Sequence, residues 1–257
     1  MGPNQPRPRL LPSWAAKATG CPAPEAAPTP VGPWKIGAYL SLSGEDAAFG
    51  TSARQGFDLA TAEVNDRGGV AGRPLSLIYA DDASTPRGTV SAVLRLIEQD
   101  KVVALLGEVS SARSRAGGIV ANKSRIPMLS PTATHEEVTR VGPFVFRACF
   151  TDSVQGKVAA DFAVTTRGQR RAALLFAEDD IYSSTLADTF RQEARELGAT
   201  IVVEERFLRK ESDFSGHLQQ IRAAAPDVVF APVYYNTMVL IARQAQQLGV
   251  PGSVFLG

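Results

Sequence analysis

The stretch VVALLGEVSSARSRAGGIVANKSRIPMLSPTAT, residues 102–134, decides the fold. Residues 102–106 are apolar without a break and read as a buried strand. Gly107 ends that strand. Ser110 and Ser111 follow, just before a segment of helical character at 112–121. Serine is a preferred helix N-cap, so these hydroxyls sit beside backbone N–H groups that lack a carbonyl partner. Residues 126–130 form the next strand, which ends in Pro131, Thr132, Ala133 and Thr134. In a parallel α/β sheet both polar edges emerge at the carboxyl ends of strands. A helix N-terminus with hydroxyls beside it suits a carboxylate or another small anion. The plainer reading makes Ser110 and Ser111 a cap and Thr132 and Thr134 a turn.

Outward from this stretch the same alternation continues. A strand at 34–40 leads through the turn-like SLSGEDAAFG to a helix at about 52–65, with Phe57, Ala60 and Val64 at helical spacing. Arg67-Gly68-Gly69 stops it. A strand at 75–80 ends at Asp81-Asp82, and Pro86 can open the next helix, whose stripe is Val90, Val93, Leu94 and Ile97. A short strand is expected at 144–147. After Asp152 the pattern restarts: helix 155–164, strand 171–176, a helix capped by Ser184 with Leu186, Phe190, Ala194 and Leu197, then strand 201–207. Phe214, Leu218 and Ile221 mark a further helix, residues 228–231 a strand, and Met238, Ile241, Ala242, Ala245 and Leu248 the last helical stripe. A final strand is expected at 253–256. Strands alternating with such helices mean βαβ units, parallel sheets and helices on both faces. The break near 148–153 divides the chain into two runs, hence two lobes with a cleft between them, a common place for a ligand.

Composition narrows the function classes. Lys plus Arg number 27 and Asp plus Glu 26 in 257 residues, so no charge excess points to nucleic acid or an anionic membrane. No apolar run has transmembrane length. Cys21 and Cys149 have neither a disulfide framework nor zinc spacing. Residues 1–33, rich in Pro and Ala, read as a flexible tail. Leu10-Leu11 is too short for the apolar core of a signal peptide, and Ala18-Thr19-Gly20-Cys21 only faintly resembles a lipoprotein cleavage box.

Several blocks then carry a resemblance: AFGTSARQGFDLATAEVNDRGGVAGRPLSLIYADDASTP, LLGEVSS, IPMLSPTAT, FRACFTDSVQG, DFSGHLQQIRAAAPDVVFAPVYYN and RQAQQLGV. In this order and spacing, from Trp34 to Gly257, the chain resembles the branched-chain amino-acid (Leu/Ile/Val) binding proteins of bacterial ABC transporters, of the type I periplasmic binding-protein fold. The resemblance implies an α/β fold of two doubly wound parallel-sheet lobes joined at a hinge, with the ligand held between them. It places an incomplete lobe 1 at 34–150 and an incomplete lobe 2 at 151–257. Family chains run about a hundred residues longer, so the resemblance implies a chain ending short of the family's C-terminal part and a lobe 1 with an uncovered edge and apolar face.

The implied site is Ser111, beside Ser110, and Thr134 on the ligand carboxylate. Thr132, next to Ala133, would offer a backbone carbonyl to an ammonium. Phe49 would wall the cleft from lobe 1, and Tyr182 and Tyr234 would close over it from lobe 2. Tyr182 falls in Asp179-Asp180-Ile181-Tyr182-Ser183, which reads as a loop. The chain departs from the family at Ser183, where Gly is usual, and at Gly44-Glu45, where Gly-Pro is usual. Thr85 and Ser110 stand where some members carry a disulfide, and the family's ammonium-pairing acid would fall beyond Gly257. Members also bind amides, urea-like compounds and aromatic carboxylates. No cofactor or metal is implied; the implied partners are a small ligand and an ABC permease, outside the cytoplasm.

Two other functions are weighed. A sensory domain of a receptor or regulator uses the same fold, but nothing before Trp34 resembles a helix-turn-helix. For an enzyme, His135 (in a turn) and His217 (on the exposed side of a helix) are the only histidines, and neither has a G-x-S-x-G context. The Gly pairs at 68–69 and 117–118 lack dinucleotide or P-loop spacing. A non-enzymatic solute receptor is the expectation.

Overall fold

The computed structural model describes residues 32–251 and 255–257. The tail expected at 1–33 therefore lies outside the described residues up to 31, Cys21 with it, as do Ser253 and Val254 of the last expected strand. The strands form two separate parallel sheets. The first has β1 (Trp34–Leu40), β2 (Leu75–Asp81), β3 (Ala104–Leu106), β4 (Met128–Ser130) and β5 (Val145–Arg147), in the order β2-β1-β3-β4-β5. The second has β6 (Arg171–Ala177), β7 (Thr200–Phe207), β8 (Val228–Phe230) and β9 (Phe255–Leu256), in the order β7-β6-β8-β9. Each order reverses direction once, between β1 and β3 and between β6 and β8. Loops leaving neighbouring strands diverge at such a point and open a crevice at the carboxyl ends.

Lobe 1 carries α1 (Ala47–Asp66), α2 (Pro86–Glu98), α3 (Ser111–Lys123) and the short α4 (Glu137–Arg140). Pro86 does open α2, and the Thr85 hydroxyl caps it by accepting from the Gly88 N–H at 3.0 Å. The stripe of α2 is one position out of phase with the expected one. Thr89, Val93 and Leu96 are buried and Leu94 is exposed, because the helix lies on Leu105 and Tyr39 of the sheet. Helix α1 starts at Ala47, so the last residues of the turn-like SLSGEDAAFG are helical. Its approach to β1 requires Gly50: a β-carbon there would fall 1.9 Å from the Ser41 carbonyl oxygen. Ala60 is exposed, and Gly50 is the one buried residue of α1. The β4 and β5 side chains facing away from the main core, Leu129 and Phe146, are exposed.

Lobe 2 carries α5 (Asp152–Asp161), a wide π turn (Phe162–Thr166), α6 (Ile181–Glu196), α7 (Ser215–Ala224) and α8 (Tyr235–Gln247). Strand β6 is buried on both faces. Ala172, Leu174 and Phe176 pack with α5 and α6, while Ala173, Leu175 and Ala177 pack with α7 and α8. Three expectations are corrected here. Helix α5 begins at Asp152 rather than at 155 and turns Ala160 inward, and the π turn after it buries Ala163 and Val164, leaving Val158 and Phe162 exposed. Helix α6 begins at Ile181 and is capped by Asp180, whose carboxylate accepts from the Tyr182 N–H at 2.9 Å. Ser184 is already inside that helix, and its hydroxyl donates to the Asp180 carbonyl. In α8, Ile241 and Ala245 are buried and Ala242 is exposed.

Candidate functional site

A cleft of about 350 Å³ opens where the carboxyl ends of the two sheets meet. Lobe 1 lines it with Phe49, Val109, Ser111, Thr132 and Thr134; lobe 2 lines it with Gln155, Tyr182, Val233, Tyr234 and Tyr235. Six residues anticipated from the sequence are thus brought to one place. The other two are not at its surface. Ala133 is fully buried in the lobe 1 core, and its carbonyl accepts from Arg147 Nη1 at 3.1 Å. Ser110 is buried behind the cleft, where its hydroxyl meets the Tyr234 phenol. Ser110 stands at the N-cap position of α3 but makes no side-chain cap bond, so the simple cap reading does not describe it.

Ser111 is the first residue of α3. Its hydroxyl oxygen accepts from the His135 N–H at 3.2 Å, which leaves the O–H free to donate toward the cleft. The first N–H groups of α3 have no intrahelical carbonyl and add a positive field at the same spot. Thr132 is exposed and its hydroxyl donates to the Val109 carbonyl at 3.3 Å. Thr134 presents its hydroxyl while its carbonyl accepts from the Asp152 N–H and from Arg147 Nη1.

Aromatic rings form the opposite wall. Tyr182 and Tyr234 stack with centroids 5.2 Å apart and planes 6° from parallel. Phe49 meets Tyr234 and Tyr235 edge-on, at 5.5 and 4.9 Å. Burial pushes the phenol pKa of both Tyr182 and Tyr234 upward, so both rings remain neutral donors. The anticipated loop around Tyr182 is the first turn of α6, so a helix start aims this ring.

Beneath the Ser111 side lies a buried charged network that sequence reading does not reveal. Arg113 of α3, almost fully buried, reaches Asp46 at 2.8 Å, Glu108 at 3.1 Å and Asp82 at 3.8 Å. The Ser41 hydroxyl donates to Asp82 at 2.8 Å, and the Glu108 carboxylate accepts from the Ser110 N–H at 2.6 Å. Burial still holds the Glu108 pKa above the usual carboxylate range, against the pull of Arg113. Gly107 makes the approach possible with φ +128°, where a β-carbon would fall 2.0 Å from the Tyr39 carbonyl oxygen.

From lobe 2, Arg209 crosses to the same loops, 2.7 Å from Glu45 and 3.6 Å from Asp46, and also lies 3.7 Å from Asp180. His135 bonds Thr185 of α6 at 3.1 Å, another contact between lobes. His217, expected on an exposed face, is half-buried between Glu205 at 2.8 Å and Glu211 at 3.4 Å. Val109, Gln155, Val233, Tyr235 and Arg209 are the site residues that sequence reading does not single out. The LLGEVSS, FRACFTDSVQG and PVYYN blocks hold a signal for four of them, and no local pattern marks Arg209.

Two parallel-sheet lobes with polar strand ends on one side of a cleft and aromatic rings on the other define a two-lobed α/β protein built around that cleft. The chain belongs to the periplasmic binding protein family, whose model matches residues 33–257. The amino acid binding protein of Pseudomonas aeruginosa is 31% identical over 216 residues, 84% of this chain and 58% of that protein. Among solved structures, the leucine binding protein LivK of Thermotoga maritima is 33% identical with a TM-score of 0.77, over 84% of this chain and 60% of that one. The branched-chain amino acid substrate-binding protein LivJ of Streptococcus pneumoniae, in complex with isoleucine, is 29% identical with a TM-score of 0.81, over 85% and 62%. The chain thus spans about 60% of the length of the relatives it matches.

Proposed function

We propose that this chain is the ligand-binding part of an extracytoplasmic solute receptor that hands a small carboxylate, an amino acid or an aromatic acid, to an ABC permease without altering it. One observation carries the reading: the donor pair Ser111 and Thr134, at the α3 N-terminus, faces the stacked Tyr182–Tyr234 rings across a single cleft. A carboxylate held by two hydroxyls and a helix N-terminus leaves the apolar remainder of the ligand against the rings. LivJ, bound to isoleucine, supports the amino-acid class. The lobes, taken as 34–150 and 151–257, pivot about the crossing at 148–151, and the contacts of Arg209 and His135 belong to the closed state. Among the described residues no helix is long and apolar enough to cross a membrane.

The test is calorimetric titration of the full chain with L-isoleucine, L-leucine and benzoate, with small-angle scattering of the free and saturated protein. Binding of at least one carboxylate, with recovery of the unchanged compound and compaction on saturation, is the expected result. Chemical conversion of a probe would replace the receptor reading by an enzyme.

A further inference from the structure

Asp152 is fully buried, and neither of its carboxylate oxygens has a hydrogen-bond partner. It is the first residue of α5, immediately after the crossing between the lobes, and its N–H donates to the Thr134 carbonyl at 3.1 Å. The Thr134 hydroxyl lies beside the carboxylate without the geometry of a full hydrogen bond. The charged groups around it do not neutralise it. Glu136, held by the Ser153 N–H at 3.1 Å, and Asp180 of the α6 cap are both acidic. Arg147 is the neighbouring cation, and its guanidinium is committed to the carbonyls of residues 133–136 and to the Thr139 hydroxyl. The Tyr182 phenol and the Cys149 thiol, both pushed up by burial and so neutral, are its other titratable neighbours.

We propose that Asp152 is a positioning residue for the Thr134 hydroxyl, and that it takes up one proton from solvent when a ligand carboxylate arrives at Thr134; the proposal rests on the carboxylate reading above. Thr134 has a single O–H to give. An ionised Asp152 is the strongest acceptor beside it and turns that O–H away from the cleft. Two carboxylates sharing one hydroxyl in a buried place also repel. A protonated Asp152 donates to the Thr134 oxygen, and the Thr134 O–H is released to the ligand. The ligand keeps its charge, and one proton moves from water to Asp152. Burial already raises the Asp152 pKa to about 7 in the unliganded chain, so the exchange falls near neutrality. Affinity should then be level below about pH 7 and fall by up to about tenfold per unit above it.

The experiment is calorimetry of the full chain with benzoate, which has no ammonium, and with L-isoleucine, from pH 5.5 to 8.5 in buffers of different ionisation heat. The parent is expected to absorb close to one proton per ligand at pH 8.5 and to bind at least tenfold more weakly there than at pH 6. Asp152→Asn, a mimic of the protonated acid, should keep the pH 6 affinity within about threefold and lose the slope. A flat parent profile, or the same slope in Asp152→Asn, would overturn the proposal. So would isoleucine affinity that rises with pH, which would put Asp152 on the ligand ammonium. If neither probe binds at any pH, the carboxylate reading fails, and the coupling proposed here fails with it. The protonation of Asp152 itself is read without ligand: the melting temperature of Asp152→Asn should pull ahead of the parent from pH 4 to pH 7 and then hold level. A constant difference would show that Asp152 is an ordinary ionised carboxylate.

Discussion

Lobe 1 buries charge under the cleft, and lobe 2 buries hydrocarbon. Behind Ser111 stand Arg113, Asp46, Asp82 and Glu108, all with side chains no more than 3% exposed. Behind Tyr182 stand Leu174, Phe176, Leu186, Phe190 and Phe230, with Phe190 and Phe230 stacked at 4.3 Å. A buried ion network adds little net stability over an apolar core, but its partners fix one another's orientation and depend on all being present. The apolar core tolerates rotation of its parts and resists loss of volume. The comparison teaches a division of labour. The polar lobe holds the donors that must be aimed, and the apolar lobe carries rings that need only a firm backing.

The sharpest way to break this comparison is to disable each core. Phe190→Ala should cost about 3–5 kcal/mol at every pH, as a cavity does. Arg113→Met should cost a similar ~3–5 kcal/mol near pH 7.5 by leaving buried carboxylates uncompensated. That second deficit should shrink toward pH 5, as Glu108, already raised, takes up a proton. Urea melts at both pH values would show it, and a pH-independent loss in Arg113→Met would erase the distinction between the lobes.

Next in size is Ser111→Ala. Removing a hydroxyl from a charged ligand group should weaken binding by about 1.5–3 kcal/mol, roughly tenfold to a hundredfold. The lost bond from His135 should lower unliganded stability by no more than about 1.5 kcal/mol. Unchanged affinity with lowered stability would reduce Ser111 to a structural role.

Arg209→Gln tests the bridge between the lobes. Glu45 is half in solvent, so the pair is screened, and the expected loss is about 1 kcal/mol, near fivefold in Kd. The loss should fade in about 0.5 M salt. A salt-independent loss would mean that Arg209 touches the ligand itself.

The smallest effect is at His217. Burial alone would lower its pKa, but the hydrogen bonds it donates to the Glu205 and Glu211 carboxylates raise it. Its stabilising contribution is therefore complete below about pH 6.5 and is lost as pH rises through the raised value. His217→Gln should melt below the parent at pH 6, by about 0.5 kcal/mol, and match it at pH 9. A deficit at pH 9 would point to packing rather than charge.

What the sequence determined by itself is the local layer. Apolar runs, Pro86 before α2 and glycines after helices act through neighbours a few residues apart, so the βα alternation and its break near 148–153 are legible as written. Residue blocks in order also pointed to the family, and with it to Ser111, Thr134 and the three aromatic rings. The phase of α2 was not legible, because Leu94 and Leu96 are equally apolar and only the sheet chooses between them. Asp180 and Ser184 are both good caps, and packing of Tyr182 against the lobe 2 core selected the earlier one. Tertiary structure alone decided the rest. Arg209 and Glu45 are 164 residues apart, and Arg113 gathers acids from three loops. Sequence assigns such charged residues to solvent, since burying charge is costly unless distant partners meet it. Asp152 reads as an ordinary acid at a helix start; only the tertiary packing around it buries its carboxylate and leaves it without a hydrogen-bond partner.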